Sequence, residues 1–385
     1  MRDITHNPDA RSWVESANAV DSDFPIQNLP LGRFRHNPLE PWQIGVAIGD
    51  RVLDLHAIGL IDHNDMRRLM AAPADARSEL RLALWQGLSE GSALEKMWAD
   101  ALLRQTEVEL GLPCEVSELT RFDASSPWAP VASAGRASSM AASGQQFHRP
   151  HGLLRAQGPE HAFASQASAE SASAAVALGA SLDLSFEEGF GAWAHAGIVQ
   201  GAPVSIADAE SCIAGMTLVN DWCARDLGPS QMDARSFATT TSPWLVTPEA
   251  LVPFRAPHAS AAPAHLDSAA NRARGGLLAH IEVWRQTADM RAAGQPAVRV
   301  AQSDISRLGW TLAQLVTQHT LNGCQLRTGE VLMTTGLNTA AGQGAAVQDG
   351  DTIILRGACV AAGARRIGFG ECRTTVLSAV AGLES

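Results

Sequence analysis

The sequence predicts a mainly β, α+β protein of two domains, and three observations carry that prediction. Apolar and polar residues alternate with the period of two of a half-buried strand over residues 43–55 and 277–285, and short β segments separated by Gly-bearing turns run from 329 to 378. Helical spacing is confined to 63–108 and 303–319. A Gly-Leu-Pro at 111–113 separates a strand-plus-helix first part from a strand-rich second part. With 385 residues, 46% hydrophobic and 18% charged, the chain is long enough for two domains with real cores, placed at about 1–115 and 116–385.

Taken in order, residues 1–23 read as a polar lead-in and 24–34 as an irregular docking segment of Pro, Gly and aromatics. Gly49-Asp50 inside the alternating 43–55 marks a hairpin, the material of a small β-barrel. Met66, Leu69 and Met70, then Leu82 to Leu103, predict two helices broken near Ala72-Pro73. Residues 155–181 are an Ala/Ser-rich loop or weak helix, and strand character resumes at 182–186. Residues 254–276 read as a loose surface excursion, and a helix starts from Ser303-Asp304 as a cap and runs through Leu308, Leu312 and Leu315.

Composition excludes several classes of function. A net charge of −11 argues against nucleic acid or an anionic membrane as partner. The first residues lack the apolar core of a signal peptide, and no apolar run is long enough to span a bilayer, so a cytoplasmic protein is expected. Six scattered cysteines without C-x-x-C spacing speak against a zinc site or a disulfide framework. There is no dinucleotide fingerprint, P-loop, G-x-S-x-G or H-E-x-x-H. There is also no tyrosine.

The chemistry concentrates in residues 218–244, LVNDWCARDLGPSQMDARSFATTTSPW. An apolar start reads as a buried strand, and Asp221, Arg225, Asp226, Asp233 and Arg235 follow within fifteen positions. Charges beside a buried strand are unfavourable unless paired or bound. Carboxylates, guanidinia and hydroxyls together suit either a divalent metal with an anionic substrate or a structural ion-pair network, and the residues alone leave both open.

NDWCARD followed by RSFATTTSPW closely resembles the fumarylacetoacetase signature NDWSARD…GKSFGTTISPW. FPIQNLPLGRF (24–34), IGVAIGDRVLDL (44–55), GRASSMAASG (135–144), HTLNGCQLRTGEVL (319–332), DGDTIIL (349–355) and RRIGFGECRTTVL (365–377) follow in the same family's order. The resemblance implies a small N-terminal β-barrel domain with helices, a C-terminal mixed β-roll of the fumarylacetoacetase type, and a homodimer. It implies hydrolysis of a carbon–carbon bond in a β-diketo acid, within tyrosine and phenylalanine breakdown. Its cofactor is Mg2+ or Ca2+, which chelates the diketone oxygens and stabilises the departing enolate while a His/Glu pair activates water.

The family holds that metal with four carboxylates: an Asp of D-Y-T-D-F-Y, both Glu of E-L-E and the Asp of N-D-W. Asp221 and Glu187 match two of them, with Thr239 retained beside them. With ELTRFD (118–123) aligned on D-Y-T-D-F-Y, Ser185 stands for the first Glu and Arg121 for the liganding Asp; Asp123, two positions on, is a substitute if that strand shifts. Two carboxylates and an arginine do not need a cation as four carboxylates do. The expectation is that Arg121 lies against Glu187 and Asp221 and fills the metal position with its guanidinium; the alternative is an Arg121 turned to solvent beside a weak two-carboxylate site.

The water-activating pair is missing from its expected places. No histidine lies between Asp123 and His148, His148 and His151 read as surface or structural, and 334–351 contains no Glu. Arg225 matches the family's catalytic and substrate-binding Arg, with an ion pair to Asp226 or Asp221 as the structural alternative. Arg235 replaces a catalytic Lys and Ser133 takes a substrate-contacting tyrosine's place. Cys324 reads as a packing residue rather than a nucleophile. Three functions follow: an impaired fumarylacetoacetase-like hydrolase, a catalytically inactive relative acting as a binding or partner subunit, or a decarboxylase or isomerase with a metal on Glu187, Asp221 and Asp123.

Overall fold

The computed structural model describes residues 2–123, 129–154, 177–195, 197–228, 234–258, 262–305, 309–335 and 346–381. The N-terminal part contains β1 (Leu31–Arg35), β2 (Gln43–Ile48), β3 (Arg51–Asp54), β4 (Leu102–Arg104) and β5 (Glu109–Leu110). They form one antiparallel sheet in the order β4-β3-β2-β1-β5. The β2–β3 hairpin turns at Gly49-Asp50, where Gly49 has φ +55°, a backbone that favours glycine. Three helices, Met66–Met70, Ala74–Leu88 and Glu95–Trp98, occupy the helical stretch, with the break at Ala71–Pro73 as expected and the third one additional.

The remaining strands are β6 (Leu119–Asp123), β7 (Val131–Ala134), β8 (Met140–Ala142), β9 (Gln145–His148), β10 (His151–Leu154), β11 (Ala177–Ala180), β12 (Leu184–Ala194), β13 (Ile213–Ala224) and β14 (Thr239–Thr241). After them come β15 (Arg255–Ala256), β16 (Gly276–Leu277), β17 (Ala279–Gln286), β18 (Val298–Asp304), β19 (Val331–Thr335), β20 (Thr352–Cys359) and β21 (Ile367–Leu377). A seven-stranded mixed sheet runs β7-β6-β19-β12-β13-β14-β8, and a five-stranded one runs β18-β17-β20-β21-β9. Large aromatics join the two: Phe190 meets Phe369 at 4.8 Å between ring centroids, and Phe147 meets Trp222 at 4.9 Å. The fold is mainly β with helices, as the sequence predicts.

Strand β13 is the axis. All twelve of its residues are buried, which suits its run of Ile, Ala, Met, Leu, Val and Trp with β strands on both sides. Alternation sorts its neighbours by face. Phe122, Phe186, Phe190, Leu218 and Trp222 point into the main core between the sheets. On the opposite face, Leu119, Trp193, Val219, Val331 and Met333 share a second core with Ile26, Leu31, Val46, Leu53 and Leu88 of the N-terminal part. Thus the N-terminal part covers one end of this face, and the polar residues of β6, β12 and β13 occupy the other.

Two expected elements differ. Ser303-Asp304 ends strand β18, and Leu308 lies outside the described residues; the helix that carries Leu312 and Leu315 is Leu312–Thr320, capped by Thr311 in a capping box with Gln314. Ser303 itself pairs with Ile281 on β17, so this end of the expected helix is strand. The stretch 254–276 includes β15 and a helix, Ala269–Arg274, so it is more ordered than its composition suggests. The Ala/Ser-rich reading falls largely on 155–176, outside the described residues, and β11 follows it.

Candidate functional site: a buried arginine–carboxylate cluster

Register places the site. Glu187 on β12 lies directly opposite Asp221 on β13, and Asp221 lies opposite Thr239 on β14. Arg121 on β6 pairs in register with Met333 on β19 and with Ser133 on β7. Direct cross-strand partners share a face, so one row of the sheet presents Thr239, Asp221 and Glu187 together.

Asp221 is fully buried and Arg121 is 5% exposed. Nε of Arg121 donates to Oδ2 of Asp221 at 2.8 Å, and its Nη2 donates to Oδ1 at 2.9 Å, a bidentate pair. The same Nη2 donates to the Arg235 carbonyl at 2.6 Å, and Nη1 to the Ala134 carbonyl at 3.4 Å. Oγ1 of Thr239 donates to Oδ1 of Asp221 at 3.0 Å. Arg235 spans both acids: Nη1 reaches Oδ2 of Asp221 at 3.3 Å, and Nη2 donates to Oε1 of Glu187. Oε2 of Glu187 accepts from Oγ1 of Thr335 at 2.9 Å.

Burial by itself raises the pKa of the Glu187 carboxyl, but the hydrogen bond and charge of Arg235, then Thr335 and the charge of Arg225, outweigh it, and the net shift is downward. Desolvation disfavours the charged form of Arg235, yet Glu187, then Cys223 and Asp221, reverse that and hold it more firmly protonated. The cluster therefore sets two carboxylates against two guanidinia.

Arg121 reaches Asp221 as expected but not Glu187, whose cationic partner is Arg235. The reason is that Arg121 spends its fork on Asp221 and two backbone carbonyls, while Arg235 bridges the two acids. The solvent-facing alternative for Arg121 does not hold. Ser185 faces the same side, two residues before Glu187, and donates to the Cys223 carbonyl at 3.2 Å. Asp123 is exposed at the end of β6, opposite Thr335 and Val131. Ser133, half-buried on the edge strand β7, lines a separate cavity of about 480 Å³ with His319, Asn322 and Cys324.

Arg225 is exposed, and no ion pair of its side chain occurs with the described residues; its backbone N–H donates to the Asp183 carbonyl. Asp226 is not its partner, because Asp226 accepts from Oγ of Ser181 at 2.5 Å and from the Leu182 N–H at 2.6 Å. Asp233 and 336–345, where the family's Glu was sought, lie outside the described residues. His148 is exposed, its Nδ1 bonded to the Ser378 carbonyl at 2.7 Å. Cys324 donates to the His319 carbonyl at 2.8 Å, and burial followed by the charges of Glu330 and Glu118 raises its pKa, which disfavours the thiolate.

Sequence reasoning missed Thr335, whose role shows only once β19 is laid parallel to β6. It also missed Glu188 and Asn220, cross-strand partners facing the main core, both fully buried. Oγ of Ser303 donates to Oε1 of Glu188 at 2.7 Å, while Oε2 and both Asn220 amide atoms have no partner among the described residues.

The residues do not fit a divalent cation. Both Asp221 oxygens are taken by two donors each, two positive groups already occupy the space beside them, and among the described residues no three His, Cys, Asp or Glu side chains converge as a metal site. This also removes the metal set of Glu187, Asp221 and Asp123 on which a decarboxylase or isomerase reading rests.

A two-sheet mixed β fold with an acidic strand pair bridged by arginine defines a β-roll with a modified acid site. The fumarylacetoacetase N-terminal model matches residues 27–113, and the fumarylacetoacetate hydrolase C-terminal model matches residues 107–377. Over 436 residues the chain is 30% identical to the fumarylacetoacetase of Rattus norvegicus, covering 94% of this chain and 98% of that protein. It is 32% identical to that of Caenorhabditis elegans, covering 93% and 97%. The chain belongs to the fumarylacetoacetate hydrolase family. Among solved structures, a fumarylacetoacetate hydrolase from Exiguobacterium antarcticum aligns with TM-score 0.52 at 14% identity over 91% of this chain and 99% of that one. Maleylpyruvate hydrolase from Sphingobium sp. SYK-6, solved with manganese(II) and pyruvate, aligns with TM-score 0.52 at 14% identity over 91% and 100%. At that identity these two support the fold alone.

Proposed function

We propose that this chain is a fumarylacetoacetase-like hydrolase of reduced activity, cleaving a C–C bond in a β-diketo acid: fumarylacetoacetate to fumarate and acetoacetate, in tyrosine and phenylalanine catabolism. Its curated relatives support a fumarylacetoacetate hydrolase-like function. The observation that carries the reading is the position of the cluster: Asp221, Arg225, Arg235 and Thr239 stand where the family signature places its reaction site, with Arg235 partly open at 23% side-chain exposure and Arg225 exposed.

In the reaction, water adds its hydroxide to the carbonyl carbon, the adjacent C–C bond breaks, and its electron pair leaves as an enolate that takes up a proton. The open guanidinium edges of Arg235 and Arg225 supply positive charge for the substrate carboxylate and the developing enolate. Acting as a homodimer belongs to this proposal.

The test is the loss of fumarylacetoacetate absorbance with purified protein. Turnover above the spontaneous rate, lowered at least about tenfold by Arg225→Ala, supports hydrolysis. Folded protein without turnover favours a second reading, a non-catalytic subunit that binds small carboxylates. One observation favours that reading: no histidine bonds to the cluster among the described residues.

A further inference from the structure

The geometry points to a reaction site that works without a divalent metal, with Arg121 and Arg235 holding the ground that a cation would need. This rests on the reading that the cluster is the family's reaction site, and it concerns what that site binds rather than how fast it turns over.

Lone pairs decide the matter first. A carboxylate offers about four lone-pair directions on its two oxygens. Asp221 receives four donors: Nε and Nη2 of Arg121, Nη1 of Arg235 and Oγ1 of Thr239. Nothing remains on it for a metal. Glu187 keeps unused lone pairs, but one carboxylate does not hold Mg2+ or Ca2+ against water.

Charge decides it again. A hard cation must approach carboxylate oxygens to about 2.0–2.6 Å. At Asp221 that places it a few ångströms from two guanidinia with no solvent between, since Asp221 is fully buried. Like charges at such distances repel by several kcal/mol even at an intermediate effective dielectric. The two guanidinia also differ in how far they are fixed. Arg121 is tied by Asp221 and two backbone carbonyls and is nearly enclosed, so it is a permanent counter-ion. Arg235 is held by its acids on one side and open on the other.

The same positions say what would restore a metal. Arg121 and Ser185 share the face of Glu187 and Asp221 through the register of β6, β12 and β13. Replacing both by carboxylates, Arg121→Asp with Ser185→Glu, converts a balanced cluster into four acids against one arginine.

The experiment is Mn2+ binding, followed by electron paramagnetic resonance and calorimetry on the full-length protein, with melting temperature recorded in millimolar Mn2+ and in chelator. The parent protein is expected to bind no stoichiometric Mn2+, and its melting temperature to be the same in both. The double variant is expected to gain one Mn2+ site and to melt higher with Mn2+ than with chelator, as ligand linkage requires. If the double variant does not fold, Arg121→Asp alone, which sets three acids against one arginine, is expected to show the same Mn2+-dependent rise. A parent that binds one Mn2+ with micromolar affinity, lost in Asp221→Asn, overturns the inference. So does a folded variant that binds no more Mn2+ than the parent. Both readouts are independent of turnover, so an inactive protein still decides the question.

Discussion

Arg121 and Asp221, a hundred positions apart in the chain, form a two-point guanidinium–carboxylate pair buried on one face of the central sheet. The pair joins β6 to β13 across β19 and β12, four strands held by one ionic contact as well as by their ladders. Burying such a pair is not strongly stabilising against an apolar alternative, but removing one member leaves an uncompensated charge. Arg121→Ala is therefore expected to destabilise the protein by about 3–5 kcal/mol. Arg121→Met with Asp221→Leu, which removes both charges, is expected to lose much less. Thermal unfolding of the three proteins side by side checks this, and equal losses in the single and double variants would contradict it.

Arg225 separates binding from stability. It is exposed and has no ion pair with the described residues. Arg225→Ala should change stability by no more than about 0.5 kcal/mol while weakening binding of fumarate or acetoacetate at least about tenfold, measured by calorimetry. A large fall in melting temperature would assign it a structural role instead.

The two adjacent glutamates predict opposite pH responses. Burial raises the Glu188 pKa to about 7, with the Ser303 hydrogen bond opposing it. The folded state then holds a proton that the unfolded chain has released, so stability falls as pH rises from about 4.5 to 7 and is flat above. Glu187 is shifted down, and its contribution is present above the ordinary carboxylate range and lost as pH falls through its lower folded value. Glu188→Gln, the neutral isostere, should flatten melting temperature between pH 5 and 7 and raise stability at pH 8 by roughly 2–3 kcal/mol. An unchanged pH profile would show that Glu188 is not the group responsible.

Much of this was legible in the chain. The strand–helix pattern located the hairpin at Gly49-Asp50 and the helical stretch, and the motif at 218–244 located Asp221 and Arg235. What sequence could not give was pairing between strands. Glu187 opposite Asp221, and Thr335 within reach of Glu187, follow from register and from a parallel β6–β19 pair whose strands are more than two hundred positions apart. The choice of Arg235 over Arg121 as the partner of Glu187 likewise needs the folded chain, in which Arg121 is taken up by Asp221 and two backbone carbonyls and Arg235, ahead of β14, bridges both acids. Glu188 adjoins a site residue in the chain, yet alternation turns it to the other face and into the main core.

Gly189 tests whether the sheet's close approach sets the site. It lies between Glu188 and Phe190 on β12, and a Cβ there would stand 1.9 Å from the Thr334 carbonyl oxygen of β19. That contact is with backbone, so no side-chain rotation relieves it; β19 must move. Thr335, the next residue, then leaves Glu187, and Arg235 loses the acid that its shared hydrogen bond holds in place. Gly189→Ala is accordingly expected to cost more than about 3 kcal/mol, well beyond a typical single substitution. Thr335→Val, which removes the hydroxyl without moving the strand, should cost only about 0.5–1.5 kcal/mol. A Gly189→Ala protein as stable as Thr335→Val would mean that β19 adjusts without strain, and that the site depends on its hydrogen bonds rather than on the spacing of its strands.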